Sequence, residues 1–312
     1  MEIDVIIPLY KPGKELFTLL DKLGSQSVPV HQVILLNTEE KYFDQLIYEI
    51  RFLETYQNIK VYHVSKREFD HGGTRRMGVK KSSADVFVMM TQDAMPKDDR
   101  LIEKLVEPLQ GEVAVAYARQ LPREDSTPVE SYTREFNYPA KSRIKSAADL
   151  DSLGIKTFFC SNVCAAYRRE IYEELGGFVR HTIFNEDMIY AAKAVEAGYS
   201  VAYAADAQVV HSHNYTNGQQ FHRNFDLGVS QAEHPEIFAA YPSESEGKRM
   251  VKDVTVYLRS NHMSAGLPHF YMQCACKYAG YLLGKNYRRL PKKWVLAFTS
   301  NKEYWKQNRK DV

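Results

Sequence analysis

VFVMMTQDAMP, residues 86–96, decides how this chain is read. Val86 to Met90 are apolar and suit the middle of a sheet, yet the run stops on Thr91, Gln92 and Asp93. An aspartate there can close a turn by accepting from backbone amides, or it can stand at a strand end as a ligand-bearing group. The segment alone leaves both readings open, so its surroundings must decide.

Before it, Ile3 to Tyr10 reads as a buried strand, and Leu16, Leu19, Leu20 and Leu23 mark one face of a helix. The unit recurs: strand 32–37, helix 41–56, strand 59–64, helix 73–83, strand 85–91, helix 98–109 and strand 112–118. Continuous apolar strands alternating with helices predict an α/β fold with a mostly parallel central sheet flanked by helices. In such sheets ligands bind beyond the carboxyl ends of the strands. Tyr10, Asn37, Ser65 and Thr91-Gln92-Asp93 all fall at those ends.

Residues 120–152 are polar and read as an inserted excursion. A strand pair is expected at 157–167, a helix at 186–197 closed by Gly198, and strands at 199–204 and 207–211. From 218 onward the patterning is helical. The chain therefore divides into residues 1–217, with a break at about 119–120, and a helical extension over 218–312.

With 312 residues, 44% of them hydrophobic, the chain can bury a full core. Its net charge of +2 gives no global field toward nucleic acid. Cys160, Cys164, Cys274 and Cys276 lack zinc-knuckle or redox spacing and read as reduced thiols. MEIDVIIPLY lacks the basic start and apolar length of a signal peptide, so the expected setting is cytoplasmic.

A dinucleotide-binding fold would require G-x-G-x-x-G after the first strand, where Tyr-Lys-Pro-Gly stands instead. FDHGGTRRMG (69–78) opens a helix whose glycines, amides and Arg75 suit a diphosphate; a plain turn with solvated arginines is the alternative. In NED (185–187), Asn185 fits an N-cap, and the helix dipole favours Glu186 and Asp187. That dipole would weaken Asp187 as a base unless burial opposes it. His211 and His213 lie two apart at a strand end, and one of them, not both, is expected to ligate a metal.

In this order, IIPLY, GGTRRMG, TQDA, LGGF and NED resemble the inverting nucleotide-sugar glycosyltransferases of family two, with the GT-A fold, over about residues 1–215. FDHGGTRR, MTQDAMP, SNVCAAYRR and HSHNYT are most similar to the bacterial rhamnosyltransferases in it, which implies dTDP-L-rhamnose as donor. The resemblance implies donor contacts at Pro8, Tyr10, Asn37, His71, Gly73, Arg75, Gln92 and Asp93. Asn37 stands where the family usually has an acid, so a UDP-hexose donor stays open. Asp93 matches the last acid of an Asp-x-Asp motif and would ligate Mg²⁺ or Mn²⁺ with His211. Thr91 replaces the first acid, which also leaves a catalytically impaired nucleotide-sugar-binding protein as an alternative. Asp187 matches the general base, with Glu186, Asn162, His213 and Tyr215 on the acceptor side.

From Leu267 onward, ten Lys or Arg face one Glu and one Asp. Interleaved aromatics make this segment either an interfacial element on an anionic leaflet or a packed surface with solvated cations. A membrane contact agrees with the glycan or polyprenyl-diphosphate-linked acceptors that the resemblance implies. A nucleic-acid partner explains neither TQDA nor NED.

Overall fold

The computed structural model describes residues 1–48, 52–241 and 244–306. The chain begins β1 (Ile3–Tyr10), α1 (Glu15–Gly24), β2 (Gln32–Thr38), α2 (Glu40–Ile47), α3 (Phe52–Thr55), β3 (Ile59–Val64), α4 (His71–Lys81) and β4 (Val86–Met90). The expected helix 41–56 is thus two short helices, and residues 49–51 lie outside the described ones. Next come β5 (Met95–Pro96), α5 (Leu101–Val106), β6 (Val113–Leu121), α6 (Pro128–Asn137), β7 (Arg143–Lys145), α7 (Leu150–Leu153), β8 (Cys164–Arg168) and α8 (Arg169–Glu174). The remainder is α9 (Glu186–Glu196), β9 (Ser200–Val210), α10 (Asn217–Glu233), α11 (Pro235–Phe238), α12 (Glu244–Ser260), α13 (Leu267–Lys285) and α14 (Lys292–Phe298).

The strands form one sheet in the order β3-β2-β1-β4-β8-β6-β9-β5, with β7 paired to β9. β3, β2, β1 and β4 are parallel. β8 enters antiparallel between β4 and β6, and makes the second half mixed. Val5 and Ile7 face one core and Ile6 the other, so both faces are covered. Burial on both faces is why these strands read as unbroken apolar runs.

Three expectations are corrected. The two strands expected at 199–204 and 207–211 are a single β9, whose register against β6 shifts between Ala204 and Gln208. Of the pair expected at 157–167 only β8 forms, because Gly154–Phe158 coils into a 3₁₀ turn that buries Ile155 and Phe158. The polar excursion carries real structure: Thr127 caps α6 by accepting from the Glu130 amide, and Pro128 takes the first turn, where no intrahelical amide is needed.

β4 ends at Met90, and the Ala94 amide donates to the Thr91 carbonyl at 3.1 Å, closing a turn around Asp93. Met95 then pairs with Val210 at the end of β9. That two-residue pairing carries Asp93 to the segment beginning at His211. Helices α10 and α13 pack closely: a Cβ on Gly280 would lie 2.2 Å from the Phe221 carbonyl oxygen, and one on Gly284 2.1 Å from that of Phe225. Among the described residues no helix is long and apolar enough to cross a membrane.

Candidate active site

Asp93, His211 and His213 converge, with one ligand atom from each lying within 4.8 Å of the others. His211 Nε2 stands 3.5 Å and His213 Nε2 3.2 Å from the Asp93 carboxylate. Residues two apart share a face of an extended chain, so both histidines reach it from the segment that follows β9 at Val210. His213, expected on the acceptor side, thus also stands beside Asp93 and His211 as a third candidate ligand.

His211 Nδ1 is 3.0 Å from Gln120 Oε1, a partner that places the proton on Nδ1 and leaves Nε2 as the free acceptor. The two Nε2 atoms face each other at 3.1 Å, an arrangement that needs a shared proton or cation between them. Burial disfavours the Asp93 charge, yet the His211 and His213 contacts hold its carboxyl well below the ordinary range. Burial pushes the His211 imidazole below its usual value, toward the neutral form that binds metals. This donor set fits a divalent cation. Two imidazoles beside one carboxylate suit Mn²⁺ better than the all-oxygen preference of Mg²⁺.

Asp187 occupies the first turn of α9. Its Oδ2 accepts from the Asn162 amide at 2.9 Å and its Oδ1 from the Met188 amide at 2.8 Å. Burial, then the neighbouring Glu186 charge, push its carboxyl up to about 7. Burial and Glu186 therefore outweigh the two backbone amides and Arg75, which favour the charged form. The carboxyl keeps an edge on a cleft of about 360 Å³, shared with Asp93, His71 and Tyr215.

Glu186 supports Asp187 rather than presenting a free carboxylate. Arg75 Nε is 3.2 Å from its Oε1, and Asn162 Nδ2 donates to the same oxygen at 3.0 Å. Asn162 Oδ1 accepts from the Tyr167 hydroxyl at 2.7 Å, so its whole carboxamide is engaged. Asn185 stands at the cap position in a left-handed conformation (φ 64°), but its side chain donates to Ser230 instead of capping α9.

The 69–78 motif does different work from a phosphate loop. Asp70 caps α4 by accepting from the Gly73 amide at 2.7 Å, and its other oxygen accepts from the Thr182 amide at 3.1 Å. A Cβ on Gly72 would fall 2.0 Å from the Val179 carbonyl oxygen. Arg76 donates to the Phe178 carbonyl at 3.0 Å. These contacts dock segment 176–182, which leads into α9, while Arg75, expected to meet the diphosphate, pairs with Glu186 and lines the cleft with His71.

Pro8, Tyr10 and Asn37 stand at the ends of β1 and β2, off the catalytic cleft. Gln92 grips the Tyr10 backbone, accepting from its amide at 2.9 Å and donating to its carbonyl at 3.2 Å. Tyr10 is exposed and meets Tyr42 edge-on at 5.8 Å, with Lys11 and Lys66 near its ring. Asn37 is fully buried, and its amide donates to the Glu39 carbonyl at 3.1 Å, leaving Oδ1 without a partner.

The sequence model of glycosyl transferase family 2 matches residues 4–176, more than half the chain. The chain belongs to glycosyl transferase family 2. It is 40% identical over 311 residues to the O-antigen chain rhamnosyltransferase RfbN of Salmonella typhimurium, covering 98% of this chain and 96% of that protein. It is 41% identical over 254 residues to the O-antigen chain rhamnosyltransferase WbaN of Salmonella anatum, covering 80% of each. The mannosyltransferase PcManGT from Pyrobaculum calidifontis, solved with GDP-Man and Mn²⁺, superposes with a TM-score of 0.60 at 15% identity, over 91% of this chain and 87% of that one. This last likeness concerns the fold, which is GT-A.

Two cleft residues of this family 2 enzyme escaped the sequence reading. Gln120 is the last residue but one of β6 and could have been found by applying the strand-end rule once more. Arg223 offers no such signal. It reaches the cleft from α10, its guanidinium 4.7 Å from the Phe184 ring and 5.6 Å from that of Tyr215.

Proposed function

We propose that this glycosyltransferase moves L-rhamnose from dTDP-β-L-rhamnose to a polysaccharide acceptor by a single in-line displacement with inversion. The observation that carries the mechanism is Asp187, a carboxyl raised to about 7 at the edge of the cleft. A base poised near neutrality can take the acceptor hydroxyl proton as its oxygen attacks the anomeric carbon. The Asn162 and Met188 amides fix that carboxyl, while Glu186 raises its basicity and is itself held by Arg75. Full-length likeness to RfbN supports the donor and the acceptor class.

Asp93, His211 and His213 would hold Mn²⁺, which when bound supplies positive charge against the donor diphosphate. Arg223 fits the departing diphosphate better than Arg75, whose guanidinium is bound to Glu186. Tyr215 stacks on His213 at 4.9 Å and forms the wall on the acceptor side. Residues 1–217 would carry donor and base, and the helices beyond would complete the acceptor side.

The enzyme would work at the cytoplasmic face of the membrane. Tyr271, Met272, Tyr278 and Leu282 are exposed along α13, Trp294 is exposed on α14, and Arg288, Arg289, Lys292 and Lys293 lie between the two stretches. Tyr281 packs inward. Such a face suits an anionic leaflet, and flotation with anionic vesicles, absent with neutral ones, is the expected result.

The deciding experiment is nucleotide release from dTDP-, UDP- and GDP-sugars, with Mn²⁺ or a chelator. Release confined to dTDP-rhamnose and lost with chelator is expected. Release from a UDP-hexose instead would replace the donor assignment, and equal turnover by Asp187→Asn would remove the base.

A further inference from the structure

A second cavity of about 550 Å³ opens beside the cleft and shares His213 and Tyr215 with it. Its walls come from α6, from the first turn of α10 and from the start of α13, where His269, Gln273 and Lys277 follow one another at four-residue spacing. That spacing puts all three on one face of the helix. Further along α13, Gly280, Tyr281 and Gly284 on the same side are buried against α10. The cavity is where the two helices part.

Its chemistry is that of a polar ligand with an anionic end. Asn217 Oδ1 is buried without a hydrogen-bond partner, and Thr127, Thr133 and Gln273 add further hydroxyl and amide groups. Thr216 caps the Gln219 amide, leaving those of Asn217 and Gly218 outside the intrahelical ladder. Lys277 is partly buried and has no carboxylate within ion-pair distance among the described residues. The nearby acid, Glu130, is already bound by Arg134 at 2.7 Å. Arg134 and Arg223 both act on Lys277 as further positive charge. Lys277 is thus left without an ion-pair partner at the cavity wall, and an anion would supply one.

We propose that this cavity is the acceptor subsite, with sugar hydroxyls meeting Asn217 and its neighbours and Lys277 holding a phosphate-type group of the acceptor. This rests on the glycosyltransfer reading given above and extends it to the acceptor's charge. It places the acceptor against Tyr215, on the wall that the cavity shares with the cleft.

Inorganic pyrophosphate titrated calorimetrically into the full chain in chelator, which removes metal-dependent donor binding, tests the site. Binding weakened about tenfold in Lys277→Gln, the usual scale for losing a charge-assisted contact, and unchanged in Asp93→Asn is expected. No binding, or equal binding by Lys277→Gln, overturns the site. Binding lost in Asp93→Asn and kept in Lys277→Gln would assign the anion to the donor side, and also overturns it. Farnesyl diphosphate separates the two sources of phosphate: tighter binding than pyrophosphate through the same lysine supports a lipid-linked acceptor, while equal or weaker binding overturns the acceptor assignment in favour of a free anion. If no sugar nucleotide is turned over while the pyrophosphate result holds, the glycosyltransfer reading fails and the anion site stands.

Discussion

Arg75 and Glu186 form a buried ion pair, Nε to Oε1 at 3.2 Å, directly beneath the proposed base. Burial tends to raise the Glu186 carboxyl, but Arg75 and His71 hold it below its ordinary range. Its stabilising contribution is therefore present above the unfolded carboxylate pKa and is lost as the pH falls through the lower folded value. Arg75→Met should leave that charge unpaired and cost about 3–5 kcal/mol in urea unfolding at pH 7, shrinking toward pH 3. Wild-type stability in this variant would show that the pair is no strut.

Asp187 carries the opposite sign. With its carboxyl raised to about 7, turnover should climb with pH through that value as the base form appears. Asp187→Asn should lower turnover about 10²–10⁴-fold. Because the folded pKa is raised, wild-type stability is greatest below the unfolded value near 4 and declines as the pH rises through about 7. Because Asn can serve only one of the two amides, the comparison is of slopes: the stability of Asp187→Asn relative to wild type should rise by about 1–3 kcal/mol between about pH 4 and pH 8.5. A relative stability that does not change over that range would contradict the burial argument.

The Asp93, His211 and His213 cluster predicts binding of Mn²⁺ without substrate. At a hundredfold excess over Kd, Mn²⁺ should add about 2.7 kcal/mol, read as a rise in Tm. Asp93→Asn or His213→Ala should abolish the rise. Gln120→Leu, which frees the Nδ1 side of His211, should weaken Mn²⁺ about tenfold in electron-spin-resonance titration. A His213→Ala protein that binds Mn²⁺ like wild type would return that residue to the acceptor side.

Packing between α10 and α13 makes a prediction about Gly284. Adding a Cβ 2.1 Å from the Phe225 carbonyl oxygen should force the helices apart and cost about 1–3 kcal/mol in denaturant unfolding. Gly247, exposed on α12 with nothing within 4 Å of an added Cβ, is the control. There Gly→Ala should be neutral or stabilising by about 0.4–1 kcal/mol.

The sequence by itself determined the α/β alternation, the strand ends as the functional edge and the acids opening α9. Those features follow from local periodicity, from burial on both faces of the strands and from charge placement within one helical turn. Only the tertiary structure decided which of those groups meet. The short β5–β9 pairing carries Asp93 to His211 and His213, an encounter set by strand order across the sheet and invisible to any local window. The same holds for FDHGGTRR. Its composition suits a phosphate, but the close approach of segment 176–182 takes up its glycines, its cap and Arg76, and Glu186 pairs with Arg75. Arg223 and Lys277 lie on helices whose patterning shows only that they are helices. Which face opens on a cavity is fixed by where α10 and α13 touch and where they separate.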